Sequence, residues 1–328
     1  MITVENLRKT YGDFPAVVGS DFSVESGEVF GIVGPNGAGK TTTLKMLAGL
    51  VEPTGGSASV LGYDPEEPAM RRKLGFLPEE SPLYEDMTAR SYLRFFADLY
   101  DVPRDVADER TGAVLDRLDL EYRDRRLGDM SKGMKRKVAI ARSLVNDPDL
   151  LIYDEPASGL DPLTTNVVLE FVRELRDEDK TVVFSAHNLF HVESVCDRVV
   201  IMNRGEIIAR GTVPEIRAEH GETTYRVFTT VPLAETLPAD DEIDGGERHV
   251  AVVDEMAAVE SLRERAEAAG GRVADIRTDE ASLEDIFLRL AREAPTTSEA
   301  EGGRGEAAPG SRGGDEHEPR VVGGNSQS

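Results

Sequence analysis

Residues 29–50 read VFGIVGPNGAGKTTTLKMLAGL. The apolar, partly β-branched run from Val29 to Val33 predicts a buried strand, and the pattern from Lys40 onward predicts a helix. Between them Gly34, Gly39, Lys40 and Thr41 satisfy G-x-x-x-x-G-K-[ST] in full. Glycines let backbone N–H groups turn inward around phosphate oxygens, and the helix N-terminus adds partial positive charge. In such a loop the lysine, here Lys40, reaches the β- and γ-phosphates, and the hydroxyl of Thr41 is placed to ligate Mg²⁺. Gly34, Pro35, Asn36, Gly37, Ala38, Gly39, Lys40, Thr41 and Thr42 are therefore the candidate residues for binding a nucleoside triphosphate. A glycine-rich turn without a ligand would not account for the strand before it and the helix after it.

A second acidic motif completes the pattern. DLLIYDEPASGLDP, from Asp149 to Pro162, is a short apolar strand ending in Asp154 and Glu155. An Asp at a strand's end in phosphate-loop enzymes holds Mg²⁺, and a neighbouring Glu can polarise the attacking water. TVVFSAHNLF, from Thr181 to Phe190, places His187 at the carboxyl end of another β-branched run, 32 residues beyond Glu155. Parallel α/β sheets gather their ligands at that end of the strands. His187 is thus a candidate γ-phosphate contact, with its second ring nitrogen available to orient water or Glu155.

The rest of the composition narrows the class. The chain has 328 residues, 62 of them acidic and 38 basic, for a formal net charge of −24. Such a charge repels nucleic-acid phosphates and argues against nucleic acid as a partner. It is also the surface expected of a protein from a salt-rich cytoplasm. The single cysteine, Cys196, excludes an internal disulfide and a cysteine metal cluster, and its apolar surroundings predict a buried structural thiol. No apolar run approaches the roughly 20 residues of a membrane helix. MITVENL at the N-terminus has no signal-peptide pattern, so an intracellular protein is expected.

Three regions separate along the chain. Residues 1–220 alternate short strands with helical patterns, as an α/β domain does. Residues 221–294 read as a small α+β appendage. TTYRVFTT, RHVAVVD and GRVADIRT are strand-like, EMAAVESLRERAEAAGG and SLEDIFLRLARE helix-like, and Ser282 with Asp285 marks a helix start. Residues 295–328 are rich in Gly, Ser, Pro and Glu and are expected to be disordered.

In this order, the phosphate loop, the basic run DMSKGMKRKVAIARSL (Asp129 to Leu144), LLIYDEP, SGLD and SAH resemble an ATP-binding cassette (ABC) ATPase. The resemblance covers about residues 1–220. It is nearest to cassettes of export-type ABC transporters whose permease is a separate chain, the drug, sodium and antibiotic exporters. It implies a P-loop NTPase fold with a RecA-like core, an antiparallel β subdomain and a helical subdomain, and ATP with Mg²⁺ as ligands. Tyr11 matches the aromatic residue that stacks on adenine. MSKGM matches the family signature usually written LSGGQ, so Ser131, Lys132 and Gly133 are implied contacts to the ATP of a partner subunit. Asp161 in SGLD matches a dimer-contact loop. The family arrangement is a head-to-tail pair of cassettes, which implies a second copy or a paralogue as partner. It also implies attachment through the permease to the cytoplasmic side of the membrane.

Two departures from the family pattern stand out. The middle Gly of the signature is Lys132, a cation at a helix N-terminus, which either stabilises the docked triphosphate or points to solvent. The Gln that usually follows the strand of LGFLPEESPLYEDMTA (Leu74 to Ala89) is Glu79, chosen over Glu80 by spacing; a carboxylate there can still ligate Mg²⁺. The segment from Ser81 to Asp129 is predicted helical, as in the family's helical subdomain. Lys135, Arg136 and Lys137 lie off the apolar stripe of Met134, Val138, Ala141 and Val145 and are expected to form a solvated face. A chromosome-organising or DNA-repair ATPase is the alternative class. Such relatives insert a long coiled coil between phosphate loop and signature, whereas here Lys40 and Ser131 are 91 residues apart without heptads. A translation factor would need two cassettes in one chain.

Overall fold

A computed structural model describes residues 1–238 and 249–293, and residues 1–293 form one compact unit. The tail expected at 295–328 lies outside the described residues. The chain opens with a long antiparallel hairpin, β1 (Ile2–Tyr11) and β2 (Phe14–Val24), flanked on one edge by β4 (Gly55–Val60). Between them in sequence come β3 (Val29–Val33) and α1 (Lys40–Leu47). After the short α2 (Pro68–Arg72), strand β5 (Leu74–Leu77) leads into two helices, α3 (Ala89–Leu99) and α4 (Arg104–Arg117), and then into α5 (Lys132–Ser143). The motif strands β6 (Leu150–Tyr153) and β7 (Thr181–Ala186) are separated by α6 (Pro162–Asp177) and followed by α7 (Leu189–Val195). A hairpin of β8 (Arg198–Asn203) and β9 (Glu206–Gly211), then α8 (Val213–His220), completes this part.

Nine strands form one sheet in the order β4-β1-β2-β9-β8-β3-β7-β6-β5. Pairs β8/β3, β3/β7, β7/β6 and β6/β5 are parallel, while β4/β1, β1/β2 and β9/β8 are antiparallel. The parallel strands β3, β6 and β7 are buried throughout, which is why their sequences are continuous apolar runs rather than alternating ones. Register carries the site. Val33 pairs with Ala186, Leu77 with Tyr153 and Tyr153 with Phe184. Gly34, Glu79, Asp154 and His187 therefore leave the sheet within two residues of the same edge, at the carboxyl ends of the strands. One core cluster, around Val33, Tyr153, Val138 and Phe171, lies between the sheet and α3–α7. A second, around Phe30, Ile32, Leu44 and Leu47, joins α1 to the antiparallel hairpin.

The remaining described residues form a second sheet, β11-β12-β10-β13, from β10 (Thr223–Thr229), β11 (Leu237–Pro238), β12 (His249–Val253) and β13 (Val273–Glu280). Helix α9 (Met256–Ala268) covers it through Val259 and Leu262 against Val227 and Ala251. The last helix, α10 (Leu283–Glu293), starts as Ser282 and Asp285 suggested, each accepting the other's backbone N–H. It packs away from the small sheet, seating Leu283 and Ile286 in the core beside α7 and α8. None of the helices among the described residues is long and apolar enough to cross a membrane.

Candidate nucleotide site

The loop from Gly34 to Gly39 is shaped by close backbone approaches. Gly34 has φ 151°, and a Cβ there would come within 2.2 Å of the Met202 carbonyl oxygen; at Gly39, φ 102°, it would meet the Ala16 oxygen at 2.6 Å. Gly39 caps α1 without a side-chain hydrogen bond, so the N–H groups of the first helical turn are left for a ligand. Asn36 to Thr42 line a cavity of about 370 Å³ together with Phe14, Ala16, Glu79 and Glu155. Lys40 is buried, and its ammonium donates to the carbonyls of Gly34 (2.7 Å) and Pro35 (3.2 Å) while lying 3.5 Å from Glu155 Oε1.

The acidic motif closes the other side. Asp154 is 1% exposed, and its Oδ1 accepts from Thr41 Oγ1 at 3.1 Å and from Ser185 Oγ at 2.6 Å. Glu155 sits in a left-handed conformation, φ 48°, unusual for a non-glycine residue and costly unless its surroundings hold it. Its N–H donates to Ser185 Oγ at 2.9 Å. Its Oε2 lies 2.8 Å from His187 Nδ1. A carboxylate only accepts, so Nδ1 carries the proton of that bond and Nε2 is left for other contacts. Thr41 and Glu79 line the cavity and Asp154 stands behind Thr41 through their hydrogen bond, and all three carry hard oxygen donors of the kind that suits Mg²⁺.

Phosphate-loop residues, Glu79, Asp154, Glu155 and His187 are thus brought together, and Glu79 rather than Glu80 reaches the cavity. Tyr11 is not among the cavity's lining residues. It stands half exposed on the β1–β2 hairpin with the Lys9 ammonium 5.1 Å from its ring. Phe14, opposite Tyr11 in the hairpin register, lines the cavity instead, a residue the sequence reading passed over.

Ser131, Lys132, Gly133 and Asp161 form a separate cluster. Ser131 caps α5, accepting from Met134 N. A Cβ on Gly133 would touch Thr164 at 3.1 Å, and Thr164 Oγ1 donates to Asp161 Oδ2 at 2.6 Å. That bond and the backbone N–H of Thr164 hold the Asp161 carboxyl below the usual range. The Lys132 ammonium lies over Gly159, within 2.3 Å of where a Cβ would sit. It therefore rests on the SGLD loop of its own chain.

One sequence expectation is overturned. Arg136 and Lys137 are 8% and 9% exposed, not a solvated face, and Lys135 is paired with Glu85 at 3.0 Å. Helix α5 is enclosed by α3, α4 and β5, so its two buried cations, Arg136 and Lys137, end on backbone carbonyls. Arg136 reaches those of Pro78, Glu79, Asp154, Glu155 and Pro156, and Lys137 lies 3.5 Å from that of Asp119. The thiol of Cys196 packs against Gly31, and burial pushes its pKa well up, as befits a structural residue.

Residues 17–158 match the ABC transporter family model. The ABC transporter ATP-binding protein NatA of Bacillus subtilis (strain 168) is 39% identical over 237 residues, 70% of this chain and 96% of that protein. This chain belongs to the ABC transporter ATP-binding protein family. The cassette is also 36% identical to the Nod factor export ATP-binding protein I of Burkholderia orbicola (strain AU 1054), over 88% of this chain and 96% of the other. Among solved structures it resembles the dimeric post-hydrolysis state of the ATP-binding cassette MJ0796 bound to ADP and Pi. The TM-score is 0.59 at 26% identity, covering 65% of this chain and 98% of that one. The cassette is accordingly an ATP-binding subunit of the ABC ATPase class.

Proposed function

We propose that this cassette binds Mg·ATP, pairs head to tail with a second cassette, and hydrolyses ATP to drive a separate membrane permease that exports its substrate. The observation that carries the reading is the placement of Glu155 between Lys40 and His187, beside the Asp154–Thr41 contact. Lys40 and the N-terminus of α1 hold the phosphates. Glu155 orients and polarises the attacking water from its buried position, where a carboxylate is a stronger acceptor than in bulk water. His187 is oriented by Glu155 through Nδ1, so its Nε2 donates to the γ-phosphate only as the imidazolium. Mg²⁺, held by Thr41, Asp154 and Glu79, would supply neutralisation of charge on the β- and γ-oxygens. Tyr11, half exposed outside the cavity and paired in the hairpin register with the cavity-lining Phe14, is the proposed adenine contact.

The separation of the Ser131–Gly133–Asp161 cluster from the phosphate-loop cavity supports pairing, since two chains would supply both halves to each ATP. An apolar groove of about 230 Å³ lined by Leu50, Leu74, Phe76, Phe96 and Tyr100 is a suitable seat for a permease helix. Residues 1–220 are the proposed motor, with 221–294 an accessory segment. The Nod factor export relative supports export, and membership of the ABC transporter ATP-binding protein family supports a permease partner. Attachment through that permease places the cassette on the cytoplasmic side of the membrane.

The test is Glu155→Gln. Its affinity for Mg·ATP should stay within a few-fold, turnover should fall at least about 100-fold, and size-exclusion chromatography with ATP should show a trapped dimer. Turnover near that of the parent protein would remove Glu155 from the catalytic role.

A further inference from the structure

We propose that Arg136 is a positioning residue for ATP hydrolysis, one guanidinium that fixes the backbone of both Glu79 and Glu155 to the signature helix α5. The inference rests on the reading of Glu155 as the water-orienting carboxylate.

The geometry is specific. Nε donates to Pro156 O at 2.8 Å. Nη1 donates to Pro78 O at 2.7 Å and Glu79 O at 3.0 Å, with Ser81 Oγ further off at 3.4 Å. Nη2 donates to Asp154 O at 2.9 Å and Glu155 O at 2.8 Å. A guanidinium has five N–H donors in a rigid fork, and five carbonyls from two loops meet them here. Burial pushes the Arg136 pKa down to about 10, which leaves the group charged at neutral pH. A buried cation is costly unless its donors are satisfied, and a simple spacer between α5 and the sheet would be better made from an apolar side chain. What the guanidinium adds is a link that neither Gln, with two N–H donors, nor Lys, with three and no planar fork, can span.

The link falls where backbone position matters. Glu155 is held at φ 48° with its N–H on Ser185 and its carbonyl on Arg136, so both ends of a strained residue are pinned. Glu79 is fixed through its carbonyl, which sets where its carboxylate enters the phosphate-loop cavity. Arg136 itself lies one helical turn beyond Lys132, at the tip of α5 that bears the signature. A shift of that tip is therefore transmitted to both carboxylates. Misplacement of a reacting group by about 1 Å costs on the order of 100-fold in rate.

The experiment compares Arg136→Lys and Arg136→Gln with the parent and with Glu155→Gln, all as full-length chains. The readouts are steady-state ATPase activity, affinity for a fluorescent ATP analogue, and thermal melting. Expected are a KM and nucleotide affinity within about threefold of the parent and a kcat lowered about tenfold or more in both variants. Arg136→Lys keeps the buried charge, so it carries the test if Arg136→Gln does not fold. Parental kcat in Arg136→Lys overturns the proposal. So does a fall in kcat matched by an equal rise in KM and a lower melting temperature, which would make Arg136 a fold residue only. Full turnover in Glu155→Gln would instead overturn the reading of Glu155, leaving the two failures distinct.

Discussion

Ser185 serves two neighbours at once: its Oγ donates to Asp154 Oδ1 at 2.6 Å and accepts from the Glu155 N–H at 2.9 Å. It is fully buried at the carboxyl end of β7, two residues before His187. Its hydroxyl therefore turns the Asp154 carboxylate toward Thr41 and holds the left-handed Glu155 backbone in place. Removing it leaves a buried N–H without an acceptor, at a cost of about 1–3 kcal/mol. Ser185→Ala is expected to lose about that much stability in a urea melt. It should also lower kcat about tenfold or more, with KM for ATP little changed, because the phosphate loop is untouched. A variant with parental stability and kcat would show that the hydroxyl does neither job. The signal was present in the sequence as the Ser of SAH, but a serine's partners are set by strand register, and the pairing of β6 with β7 is not written in either strand alone.

Helix α5 approaches strand β5 closely enough to explain Gly75. A Cβ at that position would come 2.3 Å from the Ser143 carbonyl oxygen and 2.5 Å from Leu151 Cδ2. The first of these is backbone, so the strand or the helix must move. Overpacking of this kind costs about 1–3 kcal/mol. Gly75→Ala is expected to destabilise the cassette by about that amount in chemical denaturation. It should also lower ATPase activity by pushing α5, and Arg136 with it, off the Glu79 and Glu155 loops. Unchanged stability would mean that the contact is slack. The apolar stripe of α5 was legible from spacing, since Val138, Ala141 and Val145 are all fully buried. The fate of its cations was not, because helical periodicity separates faces but does not say how many faces the rest of the chain will cover. The same limit applies to α10. Its sequence predicted a helix, yet its partners are α7 (Leu189–Val195) and α8 (Val213–His220), far earlier in the chain, where Glu193 Oε1 accepts from Leu283 N at 2.7 Å and Glu193 Oε2 meets Arg217 at 3.1 Å. The C-terminal segment is thereby anchored next to the helix that follows His187.

Across the whole molecule, the strongest sequence signals were those in which one local geometry demands particular residue types. The phosphate loop and the apolar β3, β6 and β7 are of that kind, and they were enough to single out Lys40, Thr41, Asp154, Glu155 and His187, which hydrogen bonds and ion pairs link at the carboxyl ends of the strands. Residues whose role comes from tertiary reach, such as Phe14 and Arg136, carried no comparable signature. Net charge belongs to this largest scale, since −24 is a property of no single element. Several ion pairs among the described residues are exposed at both ends, such as Arg90 with Asp124 and Arg226 with Asp279, and pairs of that sort contribute only about 0–1 kcal/mol each. Self-repulsion among the unbalanced carboxylates opposes the compact state and is screened by salt, the Debye length shrinking from about 8 Å at physiological ionic strength to about 3 Å at 1 M. Screening should therefore remove more repulsion than attraction. The melting temperature is expected to rise by about 5 °C or more as KCl is raised from dilute buffer to about 2 M, on the order of a few kcal/mol for a domain this large. Full stability in dilute buffer, with no gain on adding KCl, would show that the acidic surface is carried without strain and has no link to a salt-rich cytoplasm.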